Sequence, residues 1–134
     1  MIVDTSAIIA ILRDEPESAQ CVVALSKAKG NIRMSAASLV EVGMVAGAAK
    51  SPEVLGQVKE LIRNFEIQIG SVNEATAWQA IEAHRTFGKG SGHRARLNFG
   101  DCFSYALAKA HDEPLLFKGD DFAQTDIRSV LAQG

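Results

Sequence analysis

Short apolar runs alternate with longer amphipathic stretches along the whole of this 134-residue chain, and that alternation constrains the fold more than any other feature. Met1 to Val3, Ile32 to Ser35, Glu66 to Ile69 and Leu115 to Phe117 read as strands, each too short to bury a helix. Between them lie helical patterns. Thr5-Ser6 can cap a helix through Ile9 and Leu12, and Pro16 opens a second with Ala19, Val22, Val23 and Leu25 on one face, closed at Gly30. Ala37 or Ser38 opens a third through Ala49, and Ser51-Pro52-Glu53 starts a fourth that continues to Phe65. Asn73 caps a fifth to about Phe87, and the sixth covers Gly100 to His111. The segment Gly88 to Asn98 is Gly-rich and basic and reads as a loop. Strands separated by helices cannot pair as hairpins, so the pattern predicts an α/β domain: a central parallel sheet of four to five strands flanked by helices on both faces.

At 47% apolar residues the chain can build one core, and residues 1–134 read as a single domain with no repeat or linker. The longest uncharged stretch, Ser18 to Ser26, is far below the roughly 20 residues of a membrane span. No basic residue precedes the first apolar run, which argues against a secretory signal, and the expected location is the cytoplasm. Cys21 and Cys102 read as buried thiols, and the spacing of His84, His93 and His111 argues against zinc. The net charge of −2 neither drives nor forbids contact with nucleic acid, so any partner has to be found locally.

Parallel sheets place their chemistry outside the carboxyl ends of the strands. Asp4 follows the first strand and Asp120-Asp121 the last, while Asp101 opens a helix, where the helix dipole favours an acid by about 0.3–1 kcal/mol. Glu41 interrupts the small, apolar helix SLVEVGMVAGAA. Each acid alone is equally well a solvated cap or rim residue. Together they suggest one cleft, in which carboxylates would repel one another unless a cation compensates. An all-oxygen donor set selects Mg²⁺ or Mn²⁺, and such an ion supports hydrolysis of a phosphodiester.

The segments Val3-Asp4-Thr5-Ser6-Ala7, Ser38-Leu39-Val40-Glu41-Val42, Gly100-Asp101-Cys102 and Leu115-Leu116-Phe117-Lys118-Gly119-Asp120-Asp121-Phe122 resemble, in order, the successive motifs of PIN-domain ribonucleases. The match is nearest to the VapC toxins of bacterial VapBC toxin–antitoxin pairs. The resemblance covers the whole chain; a lone VDTSA would carry little. It implies a PIN-like fold and an Mg²⁺- or Mn²⁺-dependent endoribonuclease with its acids at Asp4, Glu41 and Asp101. The fourth acid falls at Asp121, ahead of the phenylalanine, in preference to Asp120, which stays open as a metal ligand. Thr5 and Ser6 fall on a hydroxyl pair near the metal, with helix capping as the alternative use. The implied partners are an RNA substrate, a VapB-type antitoxin and a second copy of the chain, joined in a larger toxin–antitoxin complex. The antitoxin is expected to lay a helix against the second and third helices and to place an Arg or Lys among the acids.

From Arg85 to Arg96 the chain carries Arg85, Lys89, Arg94 and Arg96 with no acid. A solvated face explains such a run equally well. Because the run leads into the helix of Asp101, Lys89, Arg94 and Arg96 are expected at the cleft mouth on RNA phosphates. Trp78, in helical register with Ile81, reads as core, and Tyr105, one turn after Asp101, is open to two readings, near the cleft or away from it. A receiver domain would need an aspartate after a middle strand, where serine stands, and a haloacid-dehalogenase-type phosphatase would need an aspartate at position 6, which is Ser6. A non-catalytic binding module on the same fold would not need all the acids.

Overall fold

The computed structural model describes residues 1–47 and 49–131. Four strands, β1 (Ile2–Val3), β2 (Ile32–Ser35), β3 (Ile67–Gly70) and β4 (Leu115–Leu116), form one parallel sheet in the order β3-β2-β1-β4. Six helices connect and cover them: α1 (Thr5–Leu12), α2 (Ser18–Ala28), α3 (Ala36–Val45), α4 (Glu53–Asn64), α5 (Glu74–Phe87) and α6 (Phe99–His111).

Both faces of the sheet are buried at β1 and β4, and the pleat divides them. Ile2 and its register partner Leu115 point to one side, into a core with Ala80, Ala83, Ala106 and Leu107 of α5 and α6. Val3 and its partner Leu116 point to the other, into a core with Ile8, Leu25, Val42 and Val58 of the first four helices. A strand of two residues is therefore apolar at both positions, as parallel strands buried on both faces are.

Several boundaries differ from the sequence reading. Asp4 itself, not Thr5 or Ser6, is the N-cap of α1. Pro16 lies in a turn and α2 starts two residues later. β3 starts at Ile67 because Glu66 has φ +54°, a left-handed conformation that cannot extend a strand. α3 starts at Ala36 on the Ser35 cap and ends at Val45; of the predicted extension to Ala49, Ala48 lies outside the described residues.

The prediction that Trp78 is core fails, since Trp78 is 60% and Ile81 47% exposed. The buried face of α5 is instead its alanine face, Ala80 and Ala83, which lets α5 pack closely on α6 and turns the larger side chains outward. Both cysteines are buried free thiols, and Tyr105 donates a 2.7 Å hydrogen bond to Asp126, away from the acids.

Candidate active site

Asp4 is the first residue past β1, held by its own N–H to the Leu116 carbonyl at 2.9 Å. Its carboxylate is almost fully enclosed, 3% exposed, and both oxygens are used. Oδ2 accepts from the Ser6 N–H at 3.0 Å and the Ser6 hydroxyl at 2.7 Å; Oδ1 accepts from the Ser104 hydroxyl at 2.5 Å. Ser6 Oγ in turn accepts from the Lys118 N–H at 3.0 Å, fastening the segment after β4 to the first turn of α1. Thr5, which also lines the cleft described below, donates to the Ser38 carbonyl at 3.2 Å. Of the predicted hydroxyl pair, Ser6 thus touches the acid and Thr5 braces α3.

Asp101 stands at the third position of α6 and completes a capping box. Its N–H donates to Asn98 Oδ1 at 2.9 Å, and its Oδ2 accepts from the Asn98 N–H at 3.0 Å. Burial lifts its pKa to about 7, with Asp4, Asp121 and Glu41 adding repulsion and the Asn98 N–H opposing the rise. Glu41 reaches the same place from α3. Its carboxylate lies on the bare Cα of Gly100, where a β-carbon would come within 2.2 Å of Oε2. Only glycine leaves that space.

These groups share a cleft of about 270 Å³ lined by Asp4, Ser6, Glu41, Asn98, Asp101, Lys118 and Asp121, among others. Asp120 and Asp121 are both exposed, and the two divide by position: Asp121 lines the cleft and Asp120 lies outside it. Lys118, the one cation in the lining among the described residues, is already paired with Glu15 at 3.2 Å and Glu17 at 3.5 Å. Among the described residues no three acidic, histidine or cysteine side chains already close around one point as a ligand cage. The donor set is nevertheless that of a hard cation, since the acids supply only oxygen and repel one another strongly enough to help hold Asp101 protonated near neutrality.

Lys89, Arg94 and Arg96 are exposed and none lines the cleft. Their loop is nonetheless fixed, by the Lys89 N–H to the Leu97 carbonyl at 2.8 Å and the Leu97 N–H to the Phe87 carbonyl at 2.9 Å, and it ends at Asn98 on the cleft wall. Arg85 leaves the basic run by pairing with Glu82 one turn back.

Four residues of the site escaped the sequence reading: Asn98, Ser104, Lys118 and Glu15. Asn98 was recoverable from its capping-box spacing to Asp101. Ser104 lies three residues after Asp101 and Ser38 three before Glu41, which puts each on the same helical face as an acid. That spacing carries a signal only once both faces are known to meet.

Acids delivered from the end of β1, from α3, from the start of α6 and from the turn after β4 to the carboxyl edge of a doubly covered parallel sheet define an α/β protein with an acidic cleft. The PIN domain family matches residues 1–128, and the chain belongs to that family and, within it, to the VapC ribonucleases. It is 50% identical over 131 residues to the VapC ribonuclease Mb0625 of Mycobacterium bovis and to ribonuclease VapC28 of Mycobacterium tuberculosis, over 98% of each chain. It is 44% identical over 132 residues to ribonuclease VapC30 of Mycobacterium tuberculosis, covering 97% of this chain and 98% of that one. Among solved structures, the VapC20 toxin of Mycobacterium tuberculosis, which cleaves the sarcin–ricin loop, superposes with a TM-score of 0.77 at 16% identity, over 96% and 97% of the two chains. A toxin–antitoxin complex from Klebsiella pneumoniae gives 0.64 at 20% identity, over 91% and 89%. These two likenesses show the fold. Among the described residues no helix is long and apolar enough to cross a membrane.

Proposed function

We propose that this cleft hydrolyses RNA phosphodiester bonds in the cytoplasm as the toxin of a toxin–antitoxin pair, with Mg²⁺ or Mn²⁺ held by Asp4, Glu41, Asp101 and Asp121. The observation that carries the reading is the convergence of these four acids on a cleft where Lys118, the one cation in the lining among the described residues, is already committed to Glu15 and Glu17. Such a cluster calls for a cation from outside the chain. A divalent ion there would supply a water of lowered pKa and neutralise charge building on the phosphate.

The chain's own groups set the stage for that chemistry. Ser6 and Ser104 hold Asp4 in one orientation, so it does not reorganise when substrate arrives. The Asn98 N–H occupies Asp101 Oδ2. With a pKa of about 7 the Asp101 carboxyl exchanges its proton near neutrality, and a nearby cation would pull that value down and fix the charged form. In the hydrolysis, water oxygen bonds to phosphorus as the bond to the departing ribose oxygen breaks, and the water's protons go to that oxygen and to solvent. Lys89, Arg94 and Arg96, exposed on a fixed loop that ends at the cleft wall, hold RNA phosphates leading into the site.

Two apolar surfaces suit the protein partners. Val23 of α2, Val40, Met44 and Val45 of α3, and Leu55 of α4 are exposed on the side of the first four helices, a surface for an antitoxin helix that sends an Arg or Lys to the acids. Trp78, Ile81 and Phe99 are exposed along α5 and α6, a surface for a second copy of the chain.

The test is digestion of total bacterial RNA with 5′-end sequencing, with Mg²⁺, with Mn²⁺ and with chelator. Discrete cuts that need metal and disappear in Asp4→Asn and Asp101→Asn are expected. Equal cutting in chelator would remove the metal from the reading, and equal cutting by both variants would remove the site.

A further inference from the structure

Beneath the acids runs a line of buried hydroxyls. Ser104 Oγ lies 2.5 Å from Asp4 Oδ1 and 3.2 Å from Ser38 Oγ, and each serine is 1% exposed. A hydroxyl has one proton to give. Ser104 spends it on the carboxylate, so the Ser38 proton points at Ser104 and the line has a direction: Ser38 to Ser104 to Asp4. Separately, Thr5 Oγ1 donates to the backbone carbonyl of Ser38 at 3.2 Å, which braces the start of α3.

Its position in the fold makes this more than a satisfied core contact. Ser38 is one turn before Glu41 on α3, Ser104 one turn after Asp101 on α6, and Asp4 terminates β1. One chain of hydrogen bonds therefore ties together the three elements that carry three of the acids. Apolar packing would bring α3, α6 and β1 together with freedom to slide; directional bonds at 2.5 and 3.2 Å do not allow it.

We infer that Ser104 is a positioning residue, which fixes the Asp4 carboxylate from behind, its own hydroxyl turned toward Asp4 by the proton it accepts from Ser38. This rests on the metal reading of the cleft, and it assigns work to two residues that lie outside the cleft lining. Partners of that kind behind a metal ligand usually change affinity or activity by about 10–100-fold.

The experiment uses the full chain as wild type, Ser104→Ala, Ser38→Ala and Asp4→Asn. Mn²⁺ binding is followed by electron paramagnetic resonance, and kcat and KM are measured on the RNA fragment that total-RNA digestion identifies. Ser104→Ala is expected to weaken Mn²⁺ binding at least about tenfold and to lower kcat with KM for RNA unchanged, because RNA contacts lie elsewhere. Ser38→Ala, which removes an equally buried hydroxyl one step further back, is expected to cost less than about threefold in each. In the Asp4→Asn background, adding Ser104→Ala should change Mn²⁺ binding no further. The inference is overturned if Ser104→Ala keeps wild-type Mn²⁺ affinity and kcat, or if both serine variants lose activity equally and in step with their melting temperatures. A wild type that binds no Mn²⁺ overturns the metal reading alone, and the kcat comparison then decides the role of Ser104.

Discussion

Replacing Asp101 by Asn should make the metal-free protein more stable near pH 8 and leave it unchanged near pH 4. The folded protein lifts this carboxyl from its ordinary 3.8 to about 7, chiefly by burial and then by the charges of Asp4, Asp121 and Glu41. The sign follows from proton counting. Between the two values the folded state keeps a proton that the unfolded chain releases, so stability falls as pH rises through that window and is lowest above about 7. At about 1.36 kcal/mol per unit, the shift corresponds to about 4 kcal/mol at most. Asp101 retains some solvent contact and salt screens its neighbours, which reduces the expected gain to about 1–3 kcal/mol. Asparagine keeps the cap, because its carbonyl can still accept from the Asn98 N–H. For a chain of this length each kcal/mol moves Tm by about 3–4 °C, so the variant should melt roughly 3–12 °C above wild type near pH 8. The assay is calorimetric melting in chelator at both pH values, followed by addition of Mg²⁺, which should raise wild type more than the variant. An equal difference at both pH values, or a variant that melts lower near pH 8, would refute the account of Asp101 as a carboxyl whose charge is disfavoured chiefly by burial and then by its acidic neighbours.

Gly100→Ala should separate stability from activity: alanine favours α6 by up to about 1 kcal/mol, yet its methyl displaces the Glu41 carboxylate, so Tm holds or rises while RNA cleavage falls. Unchanged cleavage would show that Glu41 does not act from its place on Gly100. Asp121→Asn should cost at least about tenfold in cleavage and Asp120→Asn little, since only Asp121 lines the cleft; the reverse order in the same assay would relocate the fourth acid. Arg94→Ala should weaken RNA binding most at low salt, reducing the slope of log affinity against log salt by about 0.7, with kcat at saturating RNA little changed. Slopes that stay the same for Arg94→Ala, Arg96→Ala and their combination would make the loop a solvated connection.

Much of the architecture was legible without coordinates because it depends on local periodicity. β2 has the predicted limits, and α5 starts on the predicted Asn73 cap, since branched apolar runs and capping residues act within a few positions of themselves. Asp4, Glu41 and Asp101 were legible for a related reason: a charge inside an apolar pattern or at a strand end is conspicuous in one dimension. The chain order of strands and helices also settled that the sheet is parallel. Other features needed the fold. Trp78 was read by size and register, but which face of α5 is buried depends on how closely α6 approaches, and two alanines allow the closer packing. Asp120 and Asp121 are equivalent by composition, and only the turn after β4 aims one of them at the cleft. Ser38 and Ser104 are ordinary helix residues 66 positions apart that meet because α3 and α6 pack on each other and both on β2. Periodicity reports what a residue does to its own helix or strand; the direction of a carboxylate and the meeting of two hydroxyls are set by distances between elements, which no local pattern contains.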